Sequence, residues 1–388
     1  MQVEEFDISA LQAAYADRRV SCAELCEAYL ARIAAIDQAG PTLKSVIEIN
    51  PDAMDIARSL DAALAARGPV GTLHGVPVMV KDSIDTGDGM MTTAGSLAML
   101  GHVAERDAFA VAKLREAGAL VLAKTNMSEW GYMRSTRGCS GWSSRGGQVR
   151  NPYALDRSPS GSSSGSAVAV AANLCTAALG AEVDGSVVRP SSINGIVGLK
   201  PTVGLLSRSG VIGVAEPQDT VGPMARTVTD LAIVLDCMTG HDPSDPATEE
   251  GAKRKALDYR AFLRPDALRG ARIGVARDAM GYHERTDAVM EGAFRVLRDL
   301  GAELVDPANG SQLPLFGQTE LDFMLYQLKA STNRYLATHP NAPIRDLDEL
   351  IRVNRERAAE IMPYFQQEAF EMAALRGGLD TPEHLRLL

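Results

Sequence analysis

The stretch SPSGSSSGSAVAVAANLCTAALGAEVDGS, residues 158–186, governs how the rest of the chain is read. It is dense in glycine and serine. Apolar runs interrupt that bias, Ala167 to Ala172 within it and Ile193 to Leu199 just beyond. Disordered Gly/Ser linkers lack such runs. Glycines inside a packable segment mark tight turns and close backbone approach, where sites are built. Residues 167–178 read as a helix of small side chains.

Working outward, HGVPVMVKDSID (residues 74–85) contains a short buried strand over 75–81 that ends on Lys81. Residues 107–117 read as a helix and 119–123 as a second strand. Nearer the start, Ser21 and Glu24 form a capping-box signature, and Leu25, Tyr29, Ile33 and Ile36 follow at helical spacing. Pro51 opens another helix carrying Ile56, Leu60 and Leu64. Downstream, a strand at 271–276, a helix from about 286 and a strand at 302–305 repeat the theme. This alternation predicts an α/β sandwich around a central sheet. No solenoid-like repeat is present.

The 388 residues are 46% hydrophobic and 23% charged, as expected of a globular protein. The net charge of −10 opposes a phosphate backbone, so no nucleic-acid partner is expected. No run approaches the roughly 20 uninterrupted apolar residues of a membrane helix, so no membrane partner is expected either. The opening MQVEEFDISALQ lacks a basic region followed by an apolar one, which argues against a secretory signal. Cys22, Cys26, Cys139, Cys175 and Cys237 show neither a CxxC pair nor metal-ligand spacing. The expectation is free thiols in a cytoplasmic protein, with no metal.

Six histidines, His74, His102, His241, His283, His339 and His384, lie outside any HExxH pattern and show no obvious partner. Gly161 to Gly165 fits GxSxG loosely, with Ser163 central, but such a match is cheap in a Gly/Ser-rich loop. Gly161 to Ser166 is also a candidate phosphate cradle. However, Ser166 stands where the Walker pattern needs a lysine, and GxGxxG is absent.

A stronger constellation joins three places. Lys81 at the end of an apolar strand loses water, which lowers its pKa and yields a neutral amine able to accept a proton. Ser186 follows Val183, Asp184 and Gly185 in a turn of small residues, whose backbone N–H groups can face an oxyanion. Ser162 supplies a hydroxyl that both donates and accepts, a relay between Ser186 and Lys81. Taken singly, Lys81 reads as a surface cation and each serine as a local backbone partner. Only the combination carries chemistry.

These residues resemble the amidase-signature family. The block from Ser158 to Gly210, the strand GVPVMVKDSID and the approach RGGQVRNPYALDRSPSG carry the resemblance, which spans roughly residues 20–245. It implies a central twisted mixed β-sheet flanked by α-helices on both faces, in a single domain over 1–388. The catalytic core is then about 20–245, with 246–388 peripheral. It implies a Ser–cis-Ser–Lys triad: Ser186 as nucleophile, Ser162 on a cis peptide as relay, Lys81 as base, and Ser163 in support. No metal or organic cofactor is implied.

CSGWSSRGGQVRNPY and INGIVGLKPTVGLLSRSG look most like the branch of bacterial peptide amidases, which release ammonia from C-terminal peptide amides. The expected partner is a small-molecule or peptide amide substrate, with a homodimer as an open option. An A-type subunit of a glutamyl-tRNA amidotransferase and a non-catalytic remnant are the alternatives. Two departures stand out. Val188 occupies the place of a family arginine, which falls one position later at Arg189. Family members also continue for about a hundred residues more. Thr381-Pro382-Glu383 resembles a helix opening with a capping hydroxyl, followed by only two turns. The sequence thus predicts a chain cut at its C-terminus.

Overall fold

The computed structural model describes residues 3–253, 258–310 and 317–388. Its strands are β1 (Val46–Ile49), β2 (Pro77–Lys81), β3 (Leu120–Thr125), β4 (Trp142–Ser143), β5 (Gly147–Gln148), β6 (Ala177–Glu182), β7 (Val197–Gly198), β8 (Thr220–Ala225), β9 (Arg272–Gly274) and β10 (Glu303–Val305). Helices α1 (Ile8–Ala16), α2 (Cys22–Arg32), α3 (Ala53–Arg67), α4 (Phe109–Glu116), α5 (Ser164–Ala171), α6 (Val188–Ile193) and α7 (Val228–Met238) accompany the first eight strands. Six strands form one mixed sheet in the order β1-β3-β2-β6-β8-β7. β2 runs parallel to β3 and β6, while β1, β8 and β7 pair antiparallel. The expected α/β architecture, a mixed central sheet flanked by helices, is what the chain forms.

Burial explains the strand sequences. Every residue of β2, β3 and β8 is buried, and in β2 and β3 the segments 78–80 and 120–123 accordingly read as continuous apolar runs rather than alternating ones. Helices α1, α2, α3 and α5 share one core with β2, β3 and β6, built from residues such as Leu11, Leu25, Tyr29, Met79, Leu122, Val168 and Ala178. The capping box forms as expected: Ser21 Oγ accepts from the Glu24 N–H at 3.1 Å, and the Ser21 N–H donates to Glu24 Oε2 at 2.8 Å. Beyond Arg32 the helical spacing continues as a π-helix, Ile33–Gln38.

The helix read over 167–178 is corrected. α5 starts earlier, at Ser164, and stops at Ala171. Asn173 adopts a left-handed conformation, φ 55°, which ends the turn, as asparagine tolerates. Ala177 and Ala178 then open β6, a central strand that pairs with β2 on one side and β8 on the other. Gly165 shows why α5 can lie so close: a Cβ there would stand 2.3 Å from the Ser45 carbonyl oxygen and 2.4 Å from that of Asn126.

The chain divides into two compact units, one of residues 1–257 and 324–386 and one of residues 258–323. The first also holds α8 (Thr248–Ala252). In the second, α9 (Glu284–Asp299) accompanies the parallel pair β9 and β10. Helix α10 (Gly317–Ala337) precedes α11 (Leu347–Glu356), α12 (Ala358–Ile361), α13 (Glu368–Ala374) and α14 (Pro382–Leu385). Pro382 does open α14, but the Thr381 hydroxyl does not cap it. It donates instead to the Gly378 carbonyl at 2.8 Å. No helix among the described residues is long and apolar enough to cross a membrane.

Candidate active site

Lys81 is the last residue of β2 and is 2% exposed. Its Nζ lies 2.8 Å from Ser162 Oγ and 2.8 Å from the Ala181 carbonyl oxygen on β6. Burial pulls its pKa down to about 7, against the opposing fields of Glu182 and Asp219. Asp82, the next residue, anchors the loop that follows. Its carboxylate accepts from the Gly95 N–H at 2.9 Å, from the Thr93 backbone and hydroxyl, and from Arg145.

Ser162 stands in the loop before α5, and the Gly161–Ser162 peptide is cis. Its carbonyl accepts the Ser128 N–H at 3.0 Å. Ser163, next along the chain, is fully buried. Its N–H donates to the Ser186 carbonyl at 3.1 Å, and its Oγ lies 3.3 Å from both the N–H and the carbonyl oxygen of Ala181. Ser163 therefore ties the Ser186 turn to β6 and does not line the cleft.

The turn that presents Ser186 is folded around Glu182. The Glu182 carboxylate accepts the N–H groups of Gly185 at 2.9 Å, Val187 at 2.6 Å and Val188 at 2.9 Å. Gly185 has φ 71°, the left-handed region where glycine carries no Cβ penalty. The stem of Arg189 packs where a Gly185 side chain would stand. This changes the expected set of oxyanion donors. The Gly185 N–H is already held by Glu182, whereas those of Val183, Asp184 and Ser186 engage no acceptor among the described residues.

Lys81, Ser162, Val183 and Ser186 line one cleft of about 490 Å³, mouth included. Trp130, Ile212 and Val214 supply apolar wall, while Ser83, Glu182, Arg208, Asp219 and Thr220 supply polar groups. Ser186 is 7% exposed, and no hydrogen bond joins its Oγ to Ser162 Oγ among the described residues. Free sites often hold such pairs loosely until substrate arrives. Sequence reasoning missed Glu182 and Asp219. An acid ahead of a Gly-Ser turn was a usable signal for Glu182, because a carboxylate there can collect the turn's N–H groups. Asp219 reaches the cleft only through tertiary folding.

The histidines also need correction, since His102 and His339 do have partners. Tyr335 Oη donates to Asp85 Oδ1 at 2.7 Å and sits 2.9 Å from His102 Nε2, while His339 Nε2 lies 3.0 Å from Asp85 Oδ2. Asp85, His102 and His339 are types that can ligate a metal, with candidate atoms within 4.8 Å of one another. The Tyr335 hydroxyl already bridges Asp85 and His102, so those atoms are engaged in a side-chain network, while His102 Nδ1 is buried without a partner among the described residues.

The sequence matches the family described as Amidase over residues 24–374. The native peptide amidase of Stenotrophomonas maltophilia is 45% identical and superposes with a TM-score of 0.94, covering 99% of this chain and 78% of that one. An Arabidopsis thaliana protein named a probable amidase is 39% identical over 99% of this chain and 75% of its own length. The A-type subunit of the glutamyl-tRNA(Gln) amidotransferase from Thermoanaerobacter pseudethanolicus is 37% identical over 79% of this chain and 60% of its own length. With the family match running through most of its length and the sheet, turn and cleft in place, this chain belongs to the amidase-signature family of amide hydrolases.

Proposed function

We propose that the chain hydrolyses the C–N bond of carboxamides, C-terminal peptide amides in particular, through a Ser186–Ser162–Lys81 relay. The observation that carries this reading is the 2.8 Å contact between Lys81 Nζ and Ser162 Oγ inside the cleft that Ser186 lines. With its pKa near 7, Lys81 is substantially neutral at physiological pH. One N–H then donates to the Ala181 carbonyl, and the lone pair faces the Ser162 hydroxyl.

The steps follow from this geometry. Lys81 takes the Ser162 proton as Ser162 takes that of Ser186, and Ser186 Oγ attacks the amide carbon. The N–H groups of Val183, Asp184 and Ser186 face the developing oxyanion. When the C–N bond breaks, Ser162 protonates the leaving nitrogen and the Lys81 ammonium reprotonates Ser162. Water cleaves the acyl-enzyme by the same relay, releasing a carboxylate product. Similarity to the peptide amidase supports the peptide-amide class. Similarity to amidotransferase chains of the A type supports a second reading, ammonia supply to a partner chain.

Ammonia release from a peptide amide tests the proposal. Release by the isolated chain, abolished in Ser186→Ala, is the expected result. Release that appears only when a second chain co-purifies would favour the amidotransferase reading.

A further inference from the structure

The relay leaves one side of the cleft without a task. Asp219 lies one residue beyond the Glu182–Thr220 pair of β6 and β8, opposite Val183 at the start of the Ser186 turn. Its Oδ2 accepts the Val214 N–H at 2.9 Å, and the Ala215 N–H also points toward the carboxylate. Among the described residues no donor completes a hydrogen bond to its Oδ1. Two neighbours on the same wall are also unpartnered. Ser83 and Thr220 are 2% and 3% exposed, and the Oγ of Ser83 and the Oγ1 of Thr220 meet no partner among the described residues. Ser83 belongs to this wall because its carbonyl accepts the Ile212 N–H at 2.8 Å, in the loop that supplies Val214.

The other charges around the cleft are engaged. Glu182 is committed to three backbone N–H groups. Arg208 pairs with Asp245 and donates to the Glu216 carbonyl. Lys81 faces Ser162 and Ala181. Buried polar atoms are normally satisfied, and a cluster without partners beside a reactive centre is a place for a ligand to satisfy. The carboxylate oxygen accepts only and so favours an N–H donor, and the two hydroxyls can accept from the same group or donate to a neighbouring carbonyl. Burial raises the Asp219 pKa to about 6, against the pull of the Val214 and Ala215 N–H groups, Arg208 and Lys81, so it remains mainly ionised at neutral pH.

We propose that Asp219, with Thr220 and Ser83, forms a subsite for an ammonium or amide N–H carried by the substrate beside its scissile carboxamide. The site thereby selects amino-acid- and peptide-derived amides over plain acyl amides. This rests on the amide-hydrolase reading of the same cleft and adds a specificity determinant to it. Asp219 reads the substrate and takes no part in proton transfer.

The test uses three amides of matched carbon skeleton: leucinamide, N-acetyl-leucinamide and 4-methylpentanamide, the last without an α-nitrogen. Dissociation constants are measured for the full chain carrying Ser186→Ala, so that binding is read without turnover. The two amides with an α-nitrogen should bind about tenfold or more tighter than 4-methylpentanamide, the scale of a hydrogen bond to a charged group. Adding Asp219→Asn keeps an acceptor for the Val214 N–H and should erase most of the preference for leucinamide. Thr220→Val, nearly isosteric, should reduce the preference by a smaller factor. Equal binding of all three amides, no measurable binding of any, or a preference untouched by Asp219→Asn would overturn the subsite. A preference that holds while wild type releases no ammonia would leave the subsite standing and sink the hydrolase reading instead.

Discussion

The carboxyl ends of β2 and β3 carry a controlled comparison, because each holds a buried lysine. Lys81 is 2% exposed and Lys124 is 0%, and burial pulls both pKa values down. In the register Lys124 pairs with Val80, while Lys81 pairs with Thr125. Successive positions on a strand face opposite sides, so the two amines leave the sheet in opposite directions. Lys124 Nζ meets the Ile84 carbonyl at 2.6 Å and Thr92 Oγ1 at 2.9 Å, in the field of Asp82, Asp85 and Asp88. Lys81 meets a serine hydroxyl inside a cleft. Burial alone shifts a lysine's proton affinity. The neighbouring groups decide whether the amine braces a loop, as at Lys124, or is placed to accept a proton in the proposed relay, as at Lys81.

The largest effect that can break this comparison is on Lys81. Lys81→Ala should lower acylation by about a thousandfold or more, the range of a lost general base. Lys81→Arg should not rescue it, because guanidinium stays protonated. Near-normal turnover in the arginine variant would remove Lys81 from the chemistry. Next comes Glu182→Gln. The amide still accepts but loses its charge-assisted bonds to Gly185, Val187 and Val188, so the turn that aims Ser186 loosens. The expected fall in kcat is about tenfold to a hundredfold, below the roughly hundredfold to thousandfold loss of a whole oxyanion donor because the donors remain and only their aim loosens, with KM changed far less. A variant that changes KM alone would show that the turn serves binding instead.

The smallest catalytic effect is expected at Lys124. Lys124→Met leaves the Ile84 carbonyl without its donor and removes a buried cation from the field of Asp82, Asp85 and Asp88, which should cost about 2–4 kcal/mol of stability, read in chemical denaturation. The pH midpoint of the remaining activity should stay where it is in wild type. A midpoint that moves in Lys124→Met would mean that the two lysines act as one unit.

Part of this arrangement is legible in the sequence. The apolar run ending at Lys81 and the Ser21–Glu24 cap are local signals, and both elements form, the strand starting at Pro77 rather than at Gly75 as read. The strands β6 and β8 are hidden by composition. Ala177 to Glu182 is rich in alanine and, apart from Gly180, made of residues that also suit a helix, and β8 contains Gly222 and Pro223, which argue against a strand. They form strands because β2 and its neighbours supply the pairing and burial that propensity does not. Lys81, Ser162 and Ser186 could be nominated because family-like motifs surround each of them. Asp219 could not, because its place in the cleft depends on β6 and β8 meeting in register and on a loop whose Val214 N–H holds it.

The central claim is that a neutral Lys81 activates Ser186 through Ser162. It is tested most directly by the rate of fluorophosphonate labelling between pH 5.5 and 9, with the modified residue mapped by mass spectrometry. Since the Lys81 pKa is about 7, the amine is protonated and idle below that pH and free above it. The account predicts an adduct on Ser186, a rate that climbs with pH through a midpoint near 7, and loss of that climb in Lys81→Ala. An adduct on Ser163, or labelling of Ser186 at a rate indifferent to pH and to Lys81, would contradict it.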